Sequence, residues 1–290
     1  MTHSTIIPAP EAVQRFRQGV DPVILDASLH LAEAQFDGDY RASSGRPAWL
    51  EARITGSQHV DLLSEWIDPG ATYHFAAPSP QQLAGDLGRS GIDGKRPIWI
   101  YDRTSLMWAA RLWWTLRNAG LPAAVIDGGL TAWFSAGGAI DLGEPASAPE
   151  PVDPPELTDL GLWADRWEVE AAVAGRGRST PVLVCALSPK ATWGRVPTRY
   201  SRRGHIPGSV NLPAHSLLAA EGTLAGGPDP LRLAGADLAT DREVIVYCGG
   251  GISASLTALA LVRRGLTNVR IYDGSLEEWS ARPELPLVSA

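Results

Sequence analysis

Short apolar runs alternate along this chain with segments whose apolar residues recur at helical spacing. The segments 105–120 and 253–265 are the clearest predicted helices, because each carries apolar residues every three or four positions and ends at a glycine suited to a helix C-terminus. The apolar runs on either side of them have the length of buried strands. Strands that alternate with helices predict parallel sheets flanked by helices, which is the α/β class.

The whole pattern occurs twice. Segment 97–133 parallels segment 243–279, and the shorter stretches 23–28 and 53–62 match 182–187 and 205–214. Asp102 and Cys248 hold equivalent loop positions, and Asp127 and Asp273 hold equivalent strand ends, with a shared offset of 146 residues (248 − 102 and 273 − 127). A repeat of this kind predicts two tandem domains. We place them at residues 1–145 and 156–290, joined by the proline-rich segment 141–157.

Composition narrows the function classes. The 290 residues suffice for two domains, and 44% hydrophobic with 20% charged residues is typical of a globular protein. A net charge of −7 argues against a nucleic-acid or membrane-surface binder, and no apolar stretch is long enough to span a bilayer. The N-terminus lacks the features of a signal peptide, and two cysteines are too few for a disulfide scaffold. We therefore expect a cytoplasmic protein that binds neither nucleic acid nor membrane.

The candidate chemistry lies in the loop that joins a predicted strand to the helix at 253–265. Cys248 is followed there by Gly249, Gly250, Gly251, Ile252 and Ser253. Three glycines allow the backbone N–H groups to turn inward as an anion-binding nest, and the helix N-terminus adds positive potential. Such surroundings favour a thiolate, the nucleophilic form of cysteine. Cys185 lies inside a predicted strand and is expected to be structural, and Asp102 makes the first domain chemically silent.

These residues resemble the tandem rhodanese family, which includes the thiosulfate and 3-mercaptopyruvate sulfurtransferases. The resemblance rests on Leu-Asp-Ala-Ser at 25–28, Gly-His-Ile-Pro-Gly-Ser-Val-Asn at 204–211, the Cys248 loop and Asp-Gly-Ser at 273–275. It implies that the cysteine takes a sulfane sulfur from a small anionic donor as a persulfide and passes it to a thiol or cyanide acceptor. It also implies a silent first domain. We expect no metal, no cofactor and a monomer.

The same resemblance suggests which residues bind the donor. Arg195 and Arg199, in the basic stretch 190–203, are similar to arginines that hold the donor anion, and His74 matches a family histidine near the active cleft. A neutral loop after the cysteine is typical of mercaptopyruvate enzymes, so 3-mercaptopyruvate is the favoured donor and thiosulfate a possible one. Two residues depart from that pattern: Gly250 stands in place of a loop serine, and Leu63 stands where an acidic partner of the histidine is expected.

The same residues bear on three other functions. A phosphatase of related fold needs an arginine six positions after the cysteine, where this chain has Ala254. A cysteine hydrolase needs a basic histidine partner and an oxyanion site. His74 is a candidate for the first of these, and it is weak evidence for a hydrolase by itself. A non-enzymatic persulfide carrier or sulfur-sensing module that docks on a partner protein stays open, and turnover is the measurement that separates it from an enzyme.

Overall fold

The computed structural model describes residues 5–176, 180–234, 238 and 242–289. The first four residues, part of the N-terminal segment examined for a signal peptide, lie outside this range. The chain forms two parallel sheets flanked by helices, so the predicted α/β class is confirmed. Every helix of the described residues is too short or too polar to cross a lipid bilayer.

The N-terminal domain is built around a five-stranded parallel sheet in the order β1-β8-β7-β2-β6. Its elements in chain order are β1 (Ile6–Pro8), α1 (Ala9–Arg17), β2 (Val23–Asp26), β3 (Leu29–Leu31), β4 (Ala42–Ser44), α2 (Arg46–Glu51), β5 (Arg53–Ile54), β6 (Gln58–His59), α3 (Pro80–Arg89), β7 (Ile98–Tyr101), α4 (Met107–Asn118), β8 (Ala123–Asp127), α5 (Gly129–Ser135) and β9 (Ile140–Asp141). The central strands are buried along their whole length, as expected for a parallel sheet that is covered on both faces.

The C-terminal domain repeats this arrangement, with a five-stranded parallel sheet in the order β10-β14-β13-β11-β12. Its elements are β10 (Trp163–Ala164), α6 (Arg166–Val173), β11 (Val182–Cys185), α7 (Pro189–Thr192), β12 (Val210–Asn211), a 3₁₀ helix (Ala214–Leu217), α8 (Pro230–Ala234), β13 (Val244–Tyr247), α9 (Ile252–Arg263), β14 (Val269–Tyr272) and α10 (Ser275–Ser280). Between β9 and β10 the chain runs without helix or strand.

The duplication extends to individual hydrogen bonds. The tyrosine that ends each central strand, Tyr101 or Tyr247, joins its hydroxyl to one backbone N–H and one serine hydroxyl of the segment that leads into the edge strand. The partners are Ile54 and Ser57 for the first domain, Ile206 and Ser209 for the second. The segments 53–62 and 205–214, matched in sequence, are therefore equivalent in structure.

Equivalent elements of the repeat meet where the domains join. Helix α4 packs against α9, and one continuous apolar core contains residues of both. The Ser253 hydroxyl lies 3.3 Å from the sulfur of Met107, which is its own equivalent in the repeat. The hydrophobic joint holds the Cys248 loop, at the start of α9, against the N-terminal domain.

Two aspartates fasten this joint. Asp127 accepts hydrogen bonds from the backbone N–H groups of Leu224 and Ala225 in the other domain, at 2.6 and 2.8 Å. Asp273 accepts one from the N–H of Ala77, at 2.7 Å. Each carboxylate therefore reaches across to a loop of the opposite domain.

Candidate active site

Cys248 directly follows β13 and lines a small pocket between the domains. The pocket has a volume of about 120 Å³. Its lining consists of Leu31, Tyr40, Leu187, Ala191, Pro197, Thr198, Arg199, Tyr200, Cys248, Gly249, Gly250, Ile252 and Ser253. Only Leu31 and Tyr40 of these come from the N-terminal domain. A larger cleft of about 760 Å³ lies in that domain under the linker, but no cysteine lines it.

The cysteine loop is held in shape by the start of α10. The hydroxyl of Ser275 accepts hydrogen bonds from the N–H groups of Cys248 and Gly251, at 3.1 and 3.2 Å. The carbonyl of Cys248 accepts a further bond from Leu276. Gly251 alone of the three glycines has a positive φ, of 79°, so the tight turn falls just before the helix. The sequence had placed Ser275 in a family motif without giving it this role.

The silent loop of the first domain shows what such a turn binds. The carboxylate of Asp102 is buried and accepts hydrogen bonds from five backbone N–H groups, those of Thr104, Ser105, Leu106, Trp108 and Ala109. Burial raises the pKa of Asp102, and the N–H groups oppose that rise. Three of the equivalent positions in the second domain are Gly250, Gly251 and Ile252. The repeat thus contains its own example of an anion in this nest, at the position that Cys248 occupies in its twin.

Two tyrosines, Tyr40 and Tyr200, complete the pocket wall, and no sequence pattern pointed to either of them. The hydroxyl of Tyr200 is buried and has no hydrogen-bond partner among the described residues. Burial raises the pKa of both Tyr200 and Tyr40, so both phenols stay protonated at neutral pH. A protonated phenol can donate a hydrogen bond to an anion formed in the pocket.

The two predicted donor-binding arginines lie in different places. Arg199 lines the pocket, and its guanidinium donates to the carbonyl of Ala32 from Nε at 2.9 Å and from Nη2 at 2.5 Å. Arg195 is exposed and does not belong to the lining. Its backbone N–H closes the turn after α7 by bonding to the carbonyl of Lys190 at 2.8 Å. Of the two predicted donor-binding arginines, the structure therefore places only Arg199 in the lining of the Cys248 pocket.

His74 lies next to the pocket, behind Tyr40. Their rings stack with centroids 3.8 Å apart and an interplanar angle of 6°. Its Nδ1 lies 2.5 Å from a carboxylate oxygen of Glu277, which belongs to α10 of the other domain. The family pattern places this acidic partner at position 63. Glu277 could not be predicted from the sequence, because it lies 203 positions from His74.

Cys185 and His205 lie beneath the site. Cys185 is fully buried, burial raises the pKa of its thiol, and its sulfur lies 3.5 Å from the hydroxyl of Thr192. His205 is buried as well, with Nδ1 at 3.0 Å from the carbonyl of Thr192. Both residues contact Thr192 in the segment between β11 and β12, so Cys185 and His205 help to order that segment.

Comparison with known families agrees with this architecture. The model of the Rhodanese-like domain matches residues 10–136 and 194–282, which is most of the chain in two segments. The chain therefore belongs to the rhodanese family, and its class is that of the sulfurtransferases.

Individual relatives cover almost the whole chain. A Mycobacterium tuberculosis protein provisionally named thiosulfate sulfurtransferase SseB is 34% identical, over 97% of this chain and 96% of its own. The human 3-mercaptopyruvate sulfurtransferase is 30% identical, over 94% and 91%. A 3-mercaptopyruvate sulfurtransferase from Leishmania major has the same fold, with a TM-score of 0.78, 21% identity and coverage of 97% of this chain and 75% of its own.

Proposed function

We propose that the enzyme carries sulfur as a persulfide on Cys248 and that 3-mercaptopyruvate is a better donor than thiosulfate. The observation that carries the first part is the position of Cys248: it lines a pocket between the domains, in a loop whose twin wraps five N–H groups around a carboxylate. For a thiolate or persulfide anion there, the backbone N–H groups of Gly250 and Ile252 hold positions equivalent to two of those donors, while the N–H of Gly251 already bonds to Ser275.

The chemistry runs in two halves. The Cys248 thiolate attacks the thiol sulfur of 3-mercaptopyruvate, and the carbon–sulfur bond breaks with its electron pair left on carbon. The proton that the thiol carried ends on that carbon, which yields pyruvate and the Cys248 persulfide without net uptake of a proton. A thiol or cyanide acceptor then attacks the outer sulfur, and the sulfur–sulfur bond breaks to restore the Cys248 thiolate.

The preference between donors follows from charge. Arg199 is the only Lys, Arg, Asp or Glu among the residues that the structure places in the lining. One guanidinium matches the single carboxylate of 3-mercaptopyruvate, whereas the second charge of thiosulfate has no cation opposite it. The names of the relatives include both donors, so the two have to be compared directly.

Intact-mass measurement and initial rates test the proposal together. After treatment with 3-mercaptopyruvate, the protein should gain the mass of one sulfur atom, Cys248→Ser should gain none, and Cys185→Ser should behave as wild type. With cyanide as acceptor, kcat/KM should be higher for 3-mercaptopyruvate than for thiosulfate. Sulfur found on Cys185 would contradict the assignment. A protein that loads one sulfur and releases it to neither cyanide nor thiols would instead be a persulfide carrier.

Arg199 and Arg195 provide a matched pair for the donor site. Loss of a charge-assisted contact typically costs about 1.5–3 kcal/mol, or roughly 10- to 150-fold in rate. Arg199→Ala should lower kcat/KM for 3-mercaptopyruvate by that factor, while Arg195→Ala, at an exposed position in the same loop, should stay within about 2-fold. Equal losses of kcat/KM in both variants would indicate that Arg195 also contacts the donor.

A further inference from the structure

A loop of the N-terminal domain, residues 33–41, borders the candidate active site and reaches the C-terminal domain. Arg41 closes this loop, because its guanidinium binds the carboxylate of Asp39 at 2.7 Å and the carbonyl of Glu33 at 2.9 Å. The side chain of Asp39 is buried under the loop. The loop is therefore held from within, and Asp37, near its tip, lies against the opposite domain.

The carboxylate of Asp37 binds two residues of the C-terminal domain, and we call this set of contacts the Asp37 clasp. Oδ1 accepts from the backbone N–H of Thr198 at 3.0 Å, and Nε of Arg203 lies 2.8 Å from each carboxylate oxygen. Beside them, the N–H of Gly38 donates to the carbonyl of Thr198 at 2.9 Å. Burial alone would raise the pKa of Asp37, but the hydrogen bonds from Arg203 and Thr198 outweigh it, and the pKa is lowered. The carboxylate is therefore ionised at neutral pH.

The clasp lies next to the arginine of the pocket. Arg199 follows Thr198 directly and lines the pocket, and its guanidinium also binds the N-terminal domain. The carbonyl of Ala32 accepts from Nε of Arg199 at 2.9 Å and from Nη2 at 2.5 Å. Ala32 in turn directly precedes the loop 33–41. The clasp therefore holds together the two chain segments whose contact orients the guanidinium.

We infer that Asp37 is a positioning residue, which holds Arg199 in the orientation that binds the carboxylate of the donor. The inference rests on the proposed function. Without the clasp, the guanidinium of Arg199 is in place in only a fraction of the molecules, and the apparent affinity for the donor falls by that fraction. Once bound, the donor carboxylate itself holds the guanidinium. The rate of sulfur transfer within the complex therefore changes little.

The test is single-turnover formation of the Cys248 persulfide, followed as pyruvate release at increasing concentrations of 3-mercaptopyruvate without an added acceptor. In Asp37→Ala, the donor concentration at half-maximal rate should rise about 3- to 10-fold, while the limiting rate stays within about 2-fold of wild type. Arg203→Ala, which removes one partner of the carboxylate, should show the same pattern with a smaller rise. Asp21→Ala is the matched control and should equal wild type, because it removes an exposed ion pair with Arg96 just before strands β2 and β7.

A double variant shows whether Asp37 acts through Arg199. In the Arg199→Ala background, Asp37→Ala should raise the half-saturating donor concentration by less than about 2-fold further. Full additivity of the two losses, a loss in the limiting rate alone, or wild-type affinity in the folded Asp37→Ala protein would overturn the inference.

Thermal unfolding shows whether each variant is folded, and Arg203→Ala carries the comparison alone if Asp37→Ala is not. A weaker donor affinity in Arg199→Ala but not in the clasp variants would overturn this inference and leave the proposed donor site standing. Unchanged affinity in Arg199→Ala, or a wild-type protein that forms no persulfide, would overturn the proposed function and this inference together.

Discussion

Two neighbouring glycines of the cysteine loop are glycine for different reasons. Gly251 has a φ of 79°, and a Cβ there would lie 2.7 Å from the guanidinium of the buried Arg111. Gly250 has an ordinary backbone conformation, and a Cβ there would meet its nearest neighbours, Glu277 and Tyr40, at 3.4 and 3.8 Å. The first position therefore excludes a side chain by backbone strain and by a clash, whereas the second has room for one.

These environments predict opposite outcomes for the same substitution. Gly251→Ser should lower the free energy of unfolding by about 1–3 kcal/mol through the left-handed backbone alone, with a further cost for moving Arg111. Gly250→Ser should change it by less than about 1 kcal/mol, because the side chain fits and the unfolded chain loses freedom. Urea unfolding measures both. If Gly250→Ser is destabilised as strongly as Gly251→Ser, the space beside Glu277 is too small for a serine side chain.

Single residues also show how far the sequence could be interpreted. Cys248 and its glycines stand next to each other in the chain, so they could be proposed as one site from local pattern. Glu277 and Tyr200 reach the site only through the fold: Glu277 meets a histidine 203 positions away, and Tyr200 follows Arg199 in a stretch that was notable for its charge alone. The exposure of Arg195 depends on how the turn after α7 closes, and the spacing of residues in the sequence does not predict that turn.

At the scale of elements, the strand and the helix of each repeated unit were predicted closely, whereas the conformation of the loop between them was not. The helices predicted at 105–120 and 253–265 are observed as Met107–Asn118 and Ile252–Arg263. Each helix follows a left-handed residue, Leu106 with a φ of 59° or Gly251. In the first domain the turn wraps around Asp102, whose five hydrogen bonds are invisible in an alternation of apolar and polar residues. The silent loop is thus an ordered anion site filled by its own side chain.

Removal of that internal anion should destabilise the first domain. In Asp102→Ala, several buried N–H groups lose their acceptor, and each unsatisfied group typically costs about 1–3 kcal/mol, although such costs do not add fully. We expect a loss of about 2–4 kcal/mol in the free energy of unfolding, measured by urea titration. The folded variant should still load one sulfur on Cys248. A folded Asp102→Ala protein that loads no sulfur would give the first domain a part in the chemistry.

At the scale of the whole molecule, the two domains are fastened by a pair of contacts that the repeat makes nearly symmetric. Asp127 binds two backbone N–H groups across the joint, and Asp273 binds one together with the hydroxyl of Tyr73. The symmetry fails at Arg111, which donates to Asp273 at 2.6 Å and lies over the ring of Trp163. The position equivalent to Arg111 is Thr257 (257 − 111 = 146), and within the part of the chain that the structure describes Asp127 forms no ion pair like that of Arg111 with Asp273.

This asymmetry predicts that the two aspartates differ in importance. In Asp127→Asn, one of the two oxygens that accept across the joint becomes an amide nitrogen that cannot accept, and the free energy of unfolding should fall by about 1–3 kcal/mol with kcat/KM unchanged. In Asp273→Asn, Arg111 keeps its charge while buried without an ionised partner, which typically costs about 3–5 kcal/mol. Because the guanidinium of Arg111 lies against Gly251, this variant should also lower kcat/KM.

Urea unfolding and initial rates on both variants separate these effects, and Arg111→Met combined with Asp273→Asn completes the comparison. Removal of both charges should recover much of the stability lost in Asp273→Asn, because a buried pair replaced by uncharged groups is often neutral. If Asp127→Asn and Asp273→Asn prove equally costly, the buried charge of Arg111 is not what distinguishes the two halves of the joint.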